Sequence, residues 1–153
     1  MVQASVTTLA LAAGGTNIVV AELYTGNVGA WLQYCQLIAS DTNPGVFYLR
    51  KTLTAGVTPV PGVPYCYGPP PPNGIQTRVA RAWATPPLAA TGPIAFAANL
   101  AGVVGNTFEW DFTKACNRNG EGLGLFIPPN SGVSIVAQTA VGAPYCNFQF
   151  LEL

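Results

Sequence analysis

Glu109 and Asp111 are the residues of this chain whose types and spacing come nearest to a reaction centre. On a β-strand, residues i and i+2 project side by side from one face, so the pair could act as the two carboxylates of a glycoside hydrolase or as calcium ligands. The run Phe108-Glu109-Trp110-Asp111-Phe112 also reads as a half-buried strand, with three aromatics on the core face and both acids on the solvated face. That alternation accounts for the acids without any chemistry. A serine–lysine couple drawn from Ser131 or Ser134 with Lys51 or Lys114 lacks the S-x-x-K spacing. Asp41-Thr42-Asn43 has asparagine where an aspartic-protease turn has glycine, and no second copy exists, so it reads as a loop.

The chain contains no histidine. Serine–histidine and cysteine–histidine nucleophile systems and histidine-based metal sites are therefore excluded. Cys35, Cys66, Cys116 and Cys146 are widely spaced, with no C-x-x-C pair to hold zinc. They allow two disulfides, or buried reduced thiols in a protein made in a cytoplasm; the second fits the preference of cysteine for cores. Gly120-Glu121-Gly122-Leu123-Gly124 lacks the G-x-G-x-x-G spacing and a following helix, so these glycines serve a hairpin or bulge and not a phosphate. No cofactor is expected, and the chain is expected not to be an enzyme.

Only 6 basic and 6 acidic residues occur among 153, where a soluble protein usually carries charge on about a quarter of its positions. A surface so poor in charge is best explained by burial against other chains. Arg50, Lys51, Arg78, Arg81, Lys114 and Arg118 form no run that would neutralise phosphates, so nucleic acid is not an expected partner. The uncharged stretches are broken by glycine, proline, threonine or asparagine and none reads as a membrane span. The first twenty residues hold no lysine or arginine and read as mature chain rather than a signal peptide.

The elements that must position these residues are strands. With 17 glycines and 14 prolines scattered along the chain, long helices are excluded, and strand-like runs recur about every ten residues. The pattern predicts strands over 5–12, 17–24, 30–39, 46–52, 76–85, 94–100, 107–113, 122–127, 133–138 and 146–151. Short connections make the pairing antiparallel. The segments 133–138 and 147–150 each present one apolar and one mainly polar face. Turns are predicted at 117–120 and 128–132, with glycine supplying positive φ in the second. One domain spans 1–153, with an N-terminal arm over 1–15 and a Pro-rich loop over 55–74. That loop carries Tyr65 and Tyr67 beside the run Pro69, Pro70, Pro71 and Pro72, stiffened by polyproline geometry and placed to contact a neighbouring subunit. Trp31, Trp83, Trp110 and the six tyrosines could instead build a sugar-stacking platform.

The segment Arg78-Val79-Ala80-Arg81-Ala82-Trp83-Ala84-Thr85-Pro86-Pro87, the run from Gly122 through Ile127-Pro128-Pro129-Asn130-Ser131-Gly132 to Ile135, and the ending Asn147-Phe148-Gln149-Phe150 carry a likeness. Together they resemble small jelly-roll virion proteins of tailed bacteriophages. The resemblance implies an all-β antiparallel sandwich of jelly-roll type, similar in outline to tumour-necrosis-factor folds and commonly a homotrimer. It further implies a capsid decoration or cement protein, made in the host cytoplasm and placed on the capsid surface, whose partner is the major capsid protein. The alternative within the same group is a head-fibre or tail and baseplate module that binds a receptor or glycan. Attachment through neutral surfaces should depend weakly on salt, and weakly on pH between about 5.5 and 8, where no unperturbed side chain titrates.

Overall fold

A computed structural model of the chain describes residues 1–9, 17–91, 96–115, 122–138 and 144–153. The strands form two antiparallel six-stranded sheets packed face to face. The first sheet runs β10 (Leu125–Ile127), β3 (Ala30–Ile38), β12 (Tyr145–Glu152), β1 (Val2–Leu9) and β5 (Tyr65–Cys66), with β9 (Thr107–Asp111) on the same edge of β3 as β10. The second runs β6 (Arg78–Ala80), β2 (Ile18–Tyr24), β11 (Gly132–Ala137), β4 (Gly45–Thr54) and β7 (Leu88–Ala89), with β8 (Phe96–Leu100) beside β7 on β4.

From β1 to β4 the chain alternates between the sheets, and the late strands β11 and β12 insert between the early ones. The rows β1-β12-β3-β9 and β2-β11-β4-β8 that result are two interleaved Greek keys, a jelly roll. The expected all-β sandwich is therefore the observed one.

The core lies between the sheets. Leu32, Leu37, Phe148 and Phe150 from the first meet Leu23, Phe47, Leu49 and Ile135 from the second, all fully or almost fully buried. Each such side chain contributes roughly 1.5–3 kcal/mol through removal of apolar surface from water. The alternation that predicted β12 holds: Cys146, Phe148 and Phe150 point inward while Asn147, Gln149 and Leu151 lie on the half-exposed face.

Several expected elements change, each for a physical reason. Residues 2–9, most of the segment expected as an arm, pair with β12 along their whole length. The strand expected over 107–113 stops at Asp111, because its carboxylate accepts hydrogen bonds from Thr113 N (3.1 Å) and Thr113 Oγ1 (2.5 Å). This local bonding turns the chain into a single helical turn, α1 (Phe112–Ala115), which still buries Phe112. The strand expected over 122–127 keeps only its last three residues. Gly124 sits at φ +107, and a Cβ there would lie 2.3 Å from the Leu32 carbonyl oxygen, so the chain enters β10 through a position open only to glycine.

In the 128–132 turn the positive φ falls on Asn130 (φ 52) and not on glycine. The strand expected over 76–85 is reduced to β6, because residues 82–85 leave the sheet. Finally, β11 is buried on both faces rather than one. Its outer side, with Val136, forms a small cluster with Val19 of β2 and Tyr48 of β4, against which Trp83 and Ala89 pack. The predicted turn at 117–120, together with Cys116 and Glu121, lies outside the described residues.

Candidate functional site

The Pro-rich excursion over 55–74 is expected as an extended loop; in the structure it is stitched to both sheets. Val57 N donates to Thr85 O (2.9 Å), Val60 N to Ala82 O (2.8 Å) and Gly62 N to Val79 O (2.7 Å). Further along, Tyr65 and Cys66 pair with Ser5 and Ala4 as the edge strand β5, and Tyr67 N donates to Gln3 O (3.0 Å). Backbone bonding of this kind fixes which side chains face outward.

Those side chains are large and apolar: Val63 is 88% exposed, Tyr65 68% and Tyr67 55%. The two tyrosine rings meet edge to face at 5.4 Å, and the Tyr67 hydroxyl donates to Ser5 Oγ (3.2 Å). Pro69, Pro70 and Pro72 are exposed and Pro71 is half-buried, its carbonyl accepting from Gly74 N (2.9 Å) to close a turn. Tyr65 and Tyr67 thus share the β1 edge of the first sheet, and the prolines continue the chain directly from it.

The outer face of the first sheet is a second surface. Gln3, Ser5 and Thr7 on β1, Asn147 and Gln149 on β12, and Gln33 and Gln36 on β3 form a neutral amide and hydroxyl field. Gln3 Nε2 donates to Gln33 Oε1 (2.9 Å), and Trp31 lies against Phe126 with centroids 4.8 Å apart. At the β9 end of this face stand Glu109 and Asp111. Gln36 Nε2 donates to Glu109 Oε1 (2.9 Å), while Asp111 pairs with Lys114 (3.1 Å). Hydrogen bonds from Thr113 and then Lys114 hold the Asp111 carboxyl below its usual range. Burial, then the Glu109 hydrogen bond, pushes the Tyr34 hydroxyl up to about 12.

The two acids thus lie on the outer sheet face, each bonded to structural neighbours, which is the solvated arrangement expected from the alternation. Ser134 is buried, and its hydroxyl is bonded to that of Thr52 (2.7 Å). Among the described residues no group of three or more metal-ligating side chains occurs. No helix among them is long and apolar enough to cross a membrane. Cys35 and Cys146 are buried free thiols, pushed up by that burial, Cys146 to about 12.

The outer face of the second sheet holds what the residue pattern did not single out. Glu22 is fully buried there, in the middle of β2. Its Oε2 accepts from Gly56 N (3.4 Å), and Oε1 finds no hydrogen-bond partner among the described residues. Burial raises its carboxyl above the usual range; the Gly56 bond, Arg78, Trp83 and Thr52 oppose that rise without cancelling it. The only sequence signal was a lone acid in the apolar run Ile18-Val19-Val20-Ala21-Glu22-Leu23. Next to this acid lies a groove of about 410 Å³ floored by Val19 and Val136 and walled by Trp83, Pro87 and Leu88. Arg50 borders it, with Nη1 donating to Ala90 O (2.9 Å) and the guanidinium over the Tyr48 ring. Among the described residues that line the groove none is a carboxylate, and Thr91 supplies the hydroxyl.

A scan against protein-family models, a search of curated proteins and a search of solved structures each found no match. The surfaces themselves therefore carry the functional reading.

Proposed function

We propose that this chain is a non-enzymatic structural protein of a tailed-phage virion, a capsid decoration protein that clamps adjacent major capsid subunits, as a homotrimer. The observation that carries the reading is the rigid apolar rim of Val63, Tyr65 and Tyr67, continued by the tetraproline run. Exposed apolar groups held in place by backbone hydrogen bonds are costly for a free monomer and suit a surface that another protein covers. The virion context comes from the resemblance of the 78–87, 122–135 and 147–150 segments, and the jelly-roll topology agrees with it. Neutral surfaces also dock without the desolvation cost of buried ions.

The test is occupancy on purified particles, measured as copies per particle by quantitative mass spectrometry. Hundreds of copies are expected for wild type. A V63S/Y65S/Y67S variant that retains wild-type stability should fall at least tenfold, since two or more buried aromatic or aliphatic contacts exceed about 1.4 kcal/mol. Undiminished occupancy of that variant, or release of the wild-type protein by moderate salt alone, would overturn the proposal.

A second reading is favoured by the amide and aromatic face of the first sheet. Gln3, Gln33, Gln36, Asn147 and Gln149 with Trp31 and Phe126 suit a neutral glycan, which would make the chain a head-fibre or tail module. A glycan array with specific hits lost in Trp31→Ala would favour it.

A further inference from the structure

Residues 55–61 and 82–85 form a two-stranded flap across the outer face of β2, joined by Val57 N to Thr85 O, Ala84 N to Val57 O and Val60 N to Ala82 O. Its underside is Gly56 and Trp83. A Cβ at Gly56 would lie 1.9 Å from Trp83 Cδ1, so the two are in the closest contact the backbone allows. Directly beneath is the Glu22 carboxylate, whose Oε2 receives one long hydrogen bond from Gly56 N and whose Oε1 has no hydrogen-bond partner among the described residues. Arg78 Nη2 reaches past it to the Gly56 carbonyl (3.2 Å). Glu22 is thus buried by the flap, and an open flap would return it to water.

We propose that docking of this flap takes up a proton at Glu22, so that the flap is clamped at acid pH and loosens as pH rises. The proposal concerns the chain alone and stands whether or not the virion reading does.

The groups around Glu22 are few. Arg78 on β6 is the charged neighbour and favours the ionised form. β11 contributes Ser134 and β4 contributes Thr52, which bond to each other. Arg50 shares the cross-strand row beyond Ser134 and is engaged by Ala90 O and the Tyr48 ring. The flap brings Gly56 and Trp83, neither charged. With one long backbone hydrogen bond, one cation and the Trp83 and Thr52 side chains set against full burial, desolvation still dominates and the docked state holds the proton more tightly than the open one. The open state titrates in the ordinary glutamate range. Docking is therefore favoured fully below that range, weakens as pH climbs through the raised value, and is constant above it.

Native-state amide hydrogen exchange between pH 4 and 8, corrected for intrinsic rates, reads the flap directly. Protection of the Val57, Val60 and Ala84 amides should fall by up to about tenfold per pH unit and then level off, while the β11 amides stay unchanged. Glu22→Gln, a neutral isostere, should hold the flap amides at their acid-pH protection throughout. Arg78→Gln removes the charge that favours ionisation, so the fall in protection should continue to higher pH before it levels off, a change that mere loosening would not produce. Flat wild-type protection across this range, or a wild-type slope retained in Glu22→Gln, would overturn the proposal.

Discussion

Two acids are buried at comparable depth in this protein, and the fold treats them in opposite ways. Glu152, 4% exposed at the end of β12, accepts from Gln76 N (3.1 and 2.9 Å) and Thr77 N (2.5 Å), so its charge is matched by backbone donors. Glu22 has one long bond and a raised carboxyl. The first is a structural clamp that returns the chain to the sandwich after the 55–74 excursion; the second is a titratable group under a cover. Glu152→Ala leaves two backbone N–H groups without acceptors and should cost roughly 2–3 kcal/mol, seen as a lower urea midpoint with unchanged slope.

Among the elements, β12 is decisive. It pairs with β1 on one side and β3 on the other over its full length, with Phe148 opposite Val6 and Cys35. A central strand gains from both ladders and from the inter-sheet core, so its inward aromatics hold the two Greek keys together. Phe148→Ala should destabilise the protein by about 3–5 kcal/mol, while Phe126→Ala on the partly exposed outer face of β10 should cost about 1 kcal/mol or less. Chemical denaturation of the two variants side by side checks the contrast. The edges are managed differently: β5 covers β1 with only two residues before the chain turns out as proline, a residue that cannot extend a ladder.

For the molecule as a whole, stability rests on apolar burial rather than on ion pairs. Six cations and six anions are spread over 153 residues, and the ion pair found among the described residues, Lys114 with Asp111, has its lysine 86% exposed. Such pairs contribute about 0–1 kcal/mol. The unfolding free energy should therefore change by less than about 1 kcal/mol between 50 and 500 mM NaCl, measured by urea titration at each salt. An ionic mode of attachment would respond far more strongly over that range. Against pH, by contrast, the proposed proton uptake at Glu22 gives the flap a response that salt does not.

The sequence by itself determined the class of the fold and most of its strands. Alternation in 108–111 and 146–150, and glycine and proline at regular intervals, are local consequences of a pleated chain with one wet face, and they survive any tertiary arrangement. It also predicted, correctly, that Glu109 and Asp111 stand on the solvated side. Only the tertiary structure decided which faces are covered twice. Ser134 and Val136 read as the outer side of an ordinary half-buried strand until residues 82–89 fold over them. Glu22 is only a lone acid in an apolar run until Gly56, more than thirty residues away, closes above it. Tyr65 and the prolines read as a free loop until Ser5 and Gln3 supply a sheet edge to pair with. In each case the deciding contact is between segments far apart in the chain, and side-chain periodicity carries information only about a residue's own strand.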